Sequence, residues 1–197
     1  ECLFYLSKYD VMSNSTAFLI GGDSETQYRS NYLALKQDML AKLYEGENTA
    51  SHNRYVNCWN KRVRDQFGVM NFVAVSKYYY DEEAKNKMLY YQLVPMLRMS
   101  EVYLIAIETS EELSEVNGWY KEYMLAHDVP NSEDFSSLDA MRKYMETEYR
   151  REFFAEGQMF YTYKRMGANS MLWRDGTVAE SEYVLPLPET EYDPSNL

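Results

Sequence analysis

The chain has 197 residues, of which 46% are hydrophobic, so it can bury a core and form one domain or part of a larger one. Acidic residues outnumber basic residues by 31 to 20, and the net charge of -11 argues against binding to nucleic acids or to an anionic membrane surface. Two cysteines and two histidines predict neither a disulfide framework nor a metal site. The sequence leaves open a disulfide between Cys2 and Cys58 and the binding of calcium, although no loop has the spacing of an EF-hand.

The first part of the chain contains weak signals for short elements. Residues 2–5 favour a short β-strand, and residues 72–80 favour another because they are rich in β-branched and aromatic side chains. Between them, residues 28–44 carry apolar side chains at helical spacing, and Gly46 is expected to end that helix.

The middle of the chain predicts a helical hairpin. Residues 94–108 are apolar on nearly all sides, which indicates a central helix, and Pro95 suits its first position. The apolar run is too short and too interrupted to span a membrane. Residues 113–127 predict the antiparallel partner helix, which is expected to end before Pro130. We expect Trp119, in the middle of this helix, to be buried in the protein core.

A third helical pattern follows at residues 138–153, where apolar residues recur at steps of three and four. Ser136 and Asp139 have the spacing of a capping box at its start. Gly157 is expected to break the helix, and a second short helix is expected to end at Gly167.

No sequence pattern for catalysis is present. The chain lacks a glycine-rich phosphate loop and the GxSxG, HExxH and CxxC motifs. Glu148, Glu152 and Glu156 share a helical face, but they interleave with Arg150 and Arg151. We therefore interpret these charges as mutually neutralising instead of as acid–base catalysts, and we predict no catalytic residue and no cofactor.

Residues 148–167 (EYRREFFAEGQMFYTYKRMG) resemble the C-terminal signature of the SusD/RagB family, the surface glycan-binding lipoproteins of Bacteroidota. The family pattern is ERR-x-EF-x-x-EGQRF-x-DLKR-x-G. The matching positions are Glu148, Arg150, Arg151, Glu152, Phe153, Phe154, Glu156, Gly157, Gln158, Phe160, Lys164, Arg165 and Gly167. Met159, Thr162 and Tyr163 depart from the family's Arg, Asp and Leu. Residues 94–108 are similar to the family's iPllRlaEvyLiyAEA, and residues 183–191 to its closing y-lPiP-x-x-E.

The resemblance implies a mainly α fold of tetratricopeptide-like helical pairs, a SusD-like α-α superhelix, with irregular loops and minor short β-strands. Family members are more than twice this length, so residues 1–197 are interpreted as the C-terminal portion of such a domain, without its N-terminal half. We expect a loop-rich region with a helix at 1–92, the tetratricopeptide-like region at 93–167 and an extended tail at 168–197.

For function, the resemblance implies a non-enzymatic lipoprotein of the outer membrane, facing outward, with its lipid anchor outside this chain. It would capture glycans and deliver them to a SusC-like TonB-dependent transporter. Aromatic rings in irregular segments are the candidates for stacking on sugars. These candidate ligand-binding residues are Tyr28, Tyr55, Trp59, Tyr79 and Trp173. The alternative is a tetratricopeptide-like module that binds peptides or proteins, including peptide capture by a SusD-like protein, and a glycosidase is a third hypothesis.

Overall fold

The computed structural model describes residues 2–7, 34–61, 72–77, 93–186 and 188. In this part the chain is mainly helical, as the sequence predicts. The helices are α1 (Gln37–Leu43), α2 (Asn53–Asn57), α3 (Met99–Thr109), α4 (Leu113–Leu125), α5 (Leu138–Glu152) and α6 (Met159–Met166). The strands are β1 (Cys2–Ser7), β2 (Ala34–Lys36), β3 (Trp59–Asn60), β4 (Phe72–Val75) and β5 (Leu93–Arg98). The chain forms two compact units, Glu1–Met145 and Glu146–Leu197. None of the described helices is long and apolar enough to cross a membrane.

One small antiparallel sheet of the first unit has the order β2-β4-β3. Leu35 lies opposite Val73, and both side chains are buried. The strand predicted in residues 72–80 is therefore confirmed over β4. The helix predicted from residue 28 is wrong at its start, because Ala34–Lys36 pairs with β4 and α1 begins only at Gln37. Residues 28–33 of that prediction lie outside the described part of the chain.

The second sheet pairs β1 with β5, which confirms the strand predicted at residues 2–5. Pro95 lies in β5 opposite Tyr5, so its predicted place at the start of a helix is wrong. Proline disfavours helical backbone in the residue before it. Within the described residues β5 is paired on one side only, and its other side tolerates a missing N–H. Arg98 is still extended, with φ -123° and ψ 151°, and α3 begins at Met99.

Helices α3 and α4 form the predicted hairpin. Leu104 and Ile107 of α3 are fully buried, as are Val116 and Met124 of α4. Trp119 is 42% exposed, so its predicted place in the core is wrong. It lies at the edge of the buried stripe of α4, where its ring makes an edge contact with the Tyr103 ring on α3.

The start of α5 differs by one residue from the sequence prediction. The Ser137 hydroxyl accepts a hydrogen bond from the Ala140 N–H at 3.1 Å, so Ser137 is the capping residue, and the capping role predicted for Ser136 is wrong. The apolar stripe on α5 is confirmed, because Met141, Met145 and Tyr149 are buried.

This cap gives a prediction with a matched control. Ser137→Ala is expected to lower the free energy of unfolding by about 1 kcal/mol, because the Ala140 N–H loses its acceptor at the helix end. Ser136→Ala, at the neighbouring exposed position, is expected to change it by less than about 0.5 kcal/mol. Urea unfolding followed by circular dichroism measures both. Equal effects of the two substitutions would contradict the assignment of the cap.

The second unit is built on the end of α5 and on α6. Gly157, with φ +72°, lies between the two helices, and Gly167, with φ +59°, ends α6 in the left-handed conformation, so both predicted breaks are confirmed. After α6 the chain is irregular as far as a short 3-10 turn at Glu180–Tyr183. The Tyr183 ring is buried against α6, and its hydroxyl donates to the Ala168 carbonyl at 2.7 Å.

Candidate functional site

Two of the aromatic residues nominated for sugar stacking, Tyr55 and Trp59, lie in the first unit and differ in how far their rings are buried. Trp59 is 4% exposed, and its Nε1 donates to the Tyr44 hydroxyl at 3.4 Å, so its ring packs in the core. Tyr55 is partly buried, and the Lys61 ammonium lies 4.0 Å from its ring centroid. The ring of Tyr44 makes an edge contact with Tyr55 at 5.1 Å. The Trp59 ring is therefore not available for stacking, and one face of the Tyr55 ring is occupied by Lys61.

The other nominated residues belong to the second unit or lie outside the described part of the chain. Tyr28 and Tyr79 lie outside the described residues. Trp173 belongs to the second unit, where it is partly buried and has the unusual φ of +69°. Of the nominated residues that the structure describes, Tyr55 and Trp59 both contact Tyr44 in the first unit, and Trp173 belongs to the second unit.

The described part of the first unit contains an open cavity of about 450 Å³, within the range typical of small-molecule sites. It lies between the turn that precedes α2 and the C-terminal end of α4. Its lining residues are Asn48, Ser51, Leu125, Asp128, Val129, Pro130 and Asn131. The wall thus combines two amides, a hydroxyl and one carboxylate with apolar area from leucine, valine and proline.

Asp128 occupies a position where a helix end usually carries glycine. The Val129 N–H donates to the Met124 carbonyl at 2.9 Å, and the Asp128 N–H donates to the Leu125 carbonyl at 3.0 Å. These two bonds form a Schellman motif, whose left-handed residue is Asp128 with φ +61°. A non-glycine residue in this conformation costs about 1–2 kcal/mol, although aspartate tolerates it better than most residues. Strained backbone conformations are often found at functional sites, so the left-handed Asp128 makes the cavity wall a candidate site.

Hydrogen bonds hold the polar wall in place. The Asn53 side chain donates to Asp128 Oδ2 at 3.2 Å, and the Asn53 N–H donates to the His127 carbonyl at 2.9 Å. The turn before α2 is therefore attached to the end of α4. The Ser51 hydroxyl is buried and makes no hydrogen bond within the described part of the chain. It is therefore able to form a hydrogen bond with a ligand in the cavity.

The segment that carries Asn131 is fixed from the other side. The Asn117 side chain on α4 donates to the Phe135 carbonyl at 3.3 Å and accepts from the Phe135 N–H at 2.8 Å. The Phe135 ring packs 4.6 Å from the Tyr120 ring. A cavity wall anchored in this way loses little conformational entropy when a ligand binds.

A histidine–aromatic cluster lies behind the attached turn. His52 is fully buried, and its ring contacts those of Tyr44 and His127 at 5.2 and 6.1 Å. His127 Nδ1 donates to the Tyr123 carbonyl at 2.8 Å, since a carbonyl can only accept. Both histidine rings therefore pack against aromatic side chains in the interior of the first unit. Among the described residues no group of three or more His, Cys, Asp or Glu side chains could hold a metal ion.

Two charged residues of the stretch 148–167, Glu148 and Arg151, form a buried ion pair. Arg151 Nη1 lies 3.0 Å from Glu148 Oε2, and the two side chains are 2% and 0% exposed. The predicted mutual neutralisation is confirmed for this pair. Arg150, in contrast, makes no ion pair with a carboxylate of the described residues; its Nη2 donates to the Tyr163 hydroxyl. Cys2 and Cys58 are not joined, so the disulfide that the sequence left open is not formed.

The cavity was not found by sequence reasoning. Asp128 carried a readable signal, because an aspartate follows the last turn of α4 where glycine or asparagine is favoured. Asn48 and Ser51 carried none, because their segment meets Asp128 only in the folded chain, where Asn53 bonds to Asp128 across a separation of 75 residues.

Comparison of the chain with known proteins found no significant match. No family model matches the chain, and no curated protein or solved structure matches it significantly. The link to the SusD/RagB family rests on the resemblance of three sequence segments alone.

Proposed function

We propose that the chain is the glycan-capturing portion of a SusD-like, non-catalytic nutrient-binding protein. The observation that carries the proposal is the anchored cavity between the turn before α2 and the end of α4. The resemblance of residues 94–108, 148–167 and 183–191 to the SusD/RagB pattern gives the cavity its biological setting.

The wall chemistry suits a neutral oligosaccharide. Amide groups of Asn48 and Asn131 and the Asp128 carboxylate offer donors and acceptors to sugar hydroxyls, while Leu125 and Pro130 offer apolar area to sugar C–H groups. Among the described lining residues Asp128 alone carries a carboxylate, whereas glycoside hydrolysis normally needs two flanking carboxyl groups. The proposal is therefore capture without cleavage.

In the proposed setting the protein is attached to the outer membrane by a lipid outside this chain. It transfers its glycan to a SusC-like TonB-dependent transporter. The tetratricopeptide-like superhelix is part of the same proposal, and the α3–α4 hairpin, joined by the three residues 110–112, supports it.

One observation favours the alternative of a protein-interaction module. Leu3, Phe4, Tyr5 and Leu6 of β1 are consecutive apolar residues, and each is at least 50% exposed. A strand that is apolar on both faces is typical of one that is covered on both faces. A peptide or protein surface would be the ligand in this case.

The proposal is tested at Asp128. We expect a panel of neutral oligosaccharides, measured by calorimetry, to include one with saturable binding, and Asp128→Gly to weaken that binding about 10-fold or more. The free energy of unfolding should stay unchanged or rise by up to about 1 kcal/mol, because relief of the left-handed strain offsets the lost bond to Asn53. Loss of binding in a variant that is at least as stable separates a ligand role from a structural one.

Two further variants act as controls. Asn131→Ala is expected to weaken binding about 5-fold, since it removes a neutral hydrogen-bonding group from the wall. Glu133→Ala changes an exposed side chain outside the lining residues and should leave the affinity unaltered. Binding of a basic or apolar peptide without any oligosaccharide binding would favour the alternative. Release of reducing sugar during the titration would contradict the non-catalytic proposal.

A further inference from the structure

The second unit contains an arginine whose surroundings differ from those of its neighbour. Arg151 is paired with Glu148 in the interior, whereas Arg150 has no carboxylate of the described residues within ion-pair distance. Its Nε atom is buried and has no acceptor among those residues. A buried part of a guanidinium group without an anion is unfavourable unless a partner supplies the missing oxygen atoms.

The nearest carboxylate network does not neutralise Arg150 directly. Arg150 Nη2 donates to the Tyr163 hydroxyl, which in turn donates to Glu146 Oε1 at 2.7 Å. The Leu172 N–H also donates to Glu146 Oε1, at 3.0 Å. Burial raises the pKa of the Tyr163 phenol, and its hydrogen bond to Glu146 raises it further, so the phenol stays protonated and separates the two charges at neutral pH.

Trp173 covers Arg150 in a conformation that is unfavourable for an aromatic residue. The Arg150 Cζ atom lies 4.8 Å from the Trp173 ring, and the backbone φ of Trp173 is +69°. The Trp173 Nε1–H is buried and, like the Arg150 Nε–H, has no acceptor in the described part of the chain. Two N–H donors that lack acceptors therefore belong to two side chains in direct contact.

We propose that Arg150 and Trp173 form a binding site for a carboxylate, and specifically for the carboxylate of an acidic sugar. A carboxylate offers two oxygen atoms that only accept, which suits the Nε–H of arginine and the Nε1–H of tryptophan and also supplies the missing negative charge. Because both nitrogen atoms are covered, residues 173–176 move when the ligand enters, while the Leu172 N–H keeps its bond to Glu146. The left-handed backbone of Trp173 lowers the cost of that movement, since leaving this conformation relieves strain.

This inference deepens the proposed function, because it adds acidic sugars to the glycans that the protein captures, and it is tested independently of the cavity. Trigalacturonate, its methyl ester and triglutamate are titrated into the full chain by calorimetry, with tryptophan fluorescence as a second signal. We expect trigalacturonate to bind at least about 10-fold more tightly than the uncharged ester, and its binding to shift the emission of Trp173.

Arg150→Met should remove this preference, whereas Arg142→Met, at an exposed arginine of the same helix, should keep it. Trp173→Phe retains an aromatic ring but lacks the N–H, and should weaken trigalacturonate binding several-fold and abolish the emission shift. If Arg150→Met does not fold, Arg150→Lys decides, because it keeps the charge without the forked donors and should lose part of the affinity.

Equal affinity for the acid and its ester, or equal affinity in the Arg150 and Arg142 variants, would overturn the carboxylate site. Tight binding of triglutamate without trigalacturonate would overturn its assignment to a sugar. Neutral oligosaccharide binding that depends on Asp128 would survive either result, so failure here is distinguishable from failure of the proposed function.

Discussion

Glu148→Gln is expected to lower the free energy of unfolding by about 3–5 kcal/mol, because it removes the negative charge that lies 3.0 Å from the buried Arg151 guanidinium. Both side chains of the pair are almost completely removed from solvent, so water cannot replace the lost carboxylate. Chemical denaturation followed by circular dichroism measures the change. Glu148 is one of the positions that match the SusD/RagB signature, and the prediction assigns it a structural role.

The same helix contains a matched control for this prediction. Arg142 and Asp139 also lie three residues apart and 3.0 Å from each other, but their side chains are 61% and 83% exposed. Asp139→Asn is expected to lower the free energy of unfolding by less than about 1 kcal/mol, since exposed ion pairs and helix-end charges contribute little. Equal effects at positions 139 and 148 would contradict the structural assignment of the buried pair.

Leu104→Ala is expected to lower the free energy of unfolding by about 2–5 kcal/mol, because Leu104 is fully buried in α3 and its removal leaves a cavity in the α3–α4 core. Thermal and urea unfolding measure the loss. The range depends on how far the neighbouring side chains can move into the space.

Ile105 is the matched control, because it is the next residue of α3 and is 50% exposed. Ile105→Ala should lower the free energy of unfolding by less than about 1 kcal/mol. A larger loss at Ile105 than at Leu104 would mean that α3 is rotated relative to the described packing. It would also show that the exposed apolar side of α3 is covered in solution.

The helical core could be predicted from sequence because its pattern is local. The spacing of Met141, Met145 and Tyr149 predicts the buried face of α5, and Gly157 and Gly167 predict the helix breaks, since glycine adopts positive φ without a steric penalty. Local patterns decide such elements whenever one face of a helix must be buried.

The errors arose where tertiary contacts decide between local alternatives. Pro95 fits both the first turn of a helix and an edge strand, and its pairing opposite Tyr5 selects the strand. Trp119 lies at the margin of the apolar stripe of α4, where a small change in helix rotation separates burial from exposure. The same limitation applies to Ser136 and Ser137, since either hydroxyl could cap a helix that starts within one residue.

The candidate site could be predicted only in part. Trp59 and Tyr55 were nominated for sugar stacking because they are aromatic and lie in segments expected to be irregular. In the structure the Trp59 ring is buried in the core, and Lys61 lies over one face of the Tyr55 ring. The cavity depends on the contact of Asn53 with Asp128, which joins segments that are distant in sequence and that no periodicity relates. Trp173 was nominated from sequence, but its contact with Arg150 became visible only in the folded chain.

Chemical-shift mapping by NMR tests glycan capture at the cavity most directly. The chain, labelled with ¹⁵N, is titrated with the neutral oligosaccharide that binds best in the calorimetric panel. The account predicts saturable shifts concentrated at residues 48–51 and 125–131, with the affinity found by calorimetry. Shifts centred on β1 and β5 instead, or no shifts from a folded chain at millimolar sugar, would contradict it.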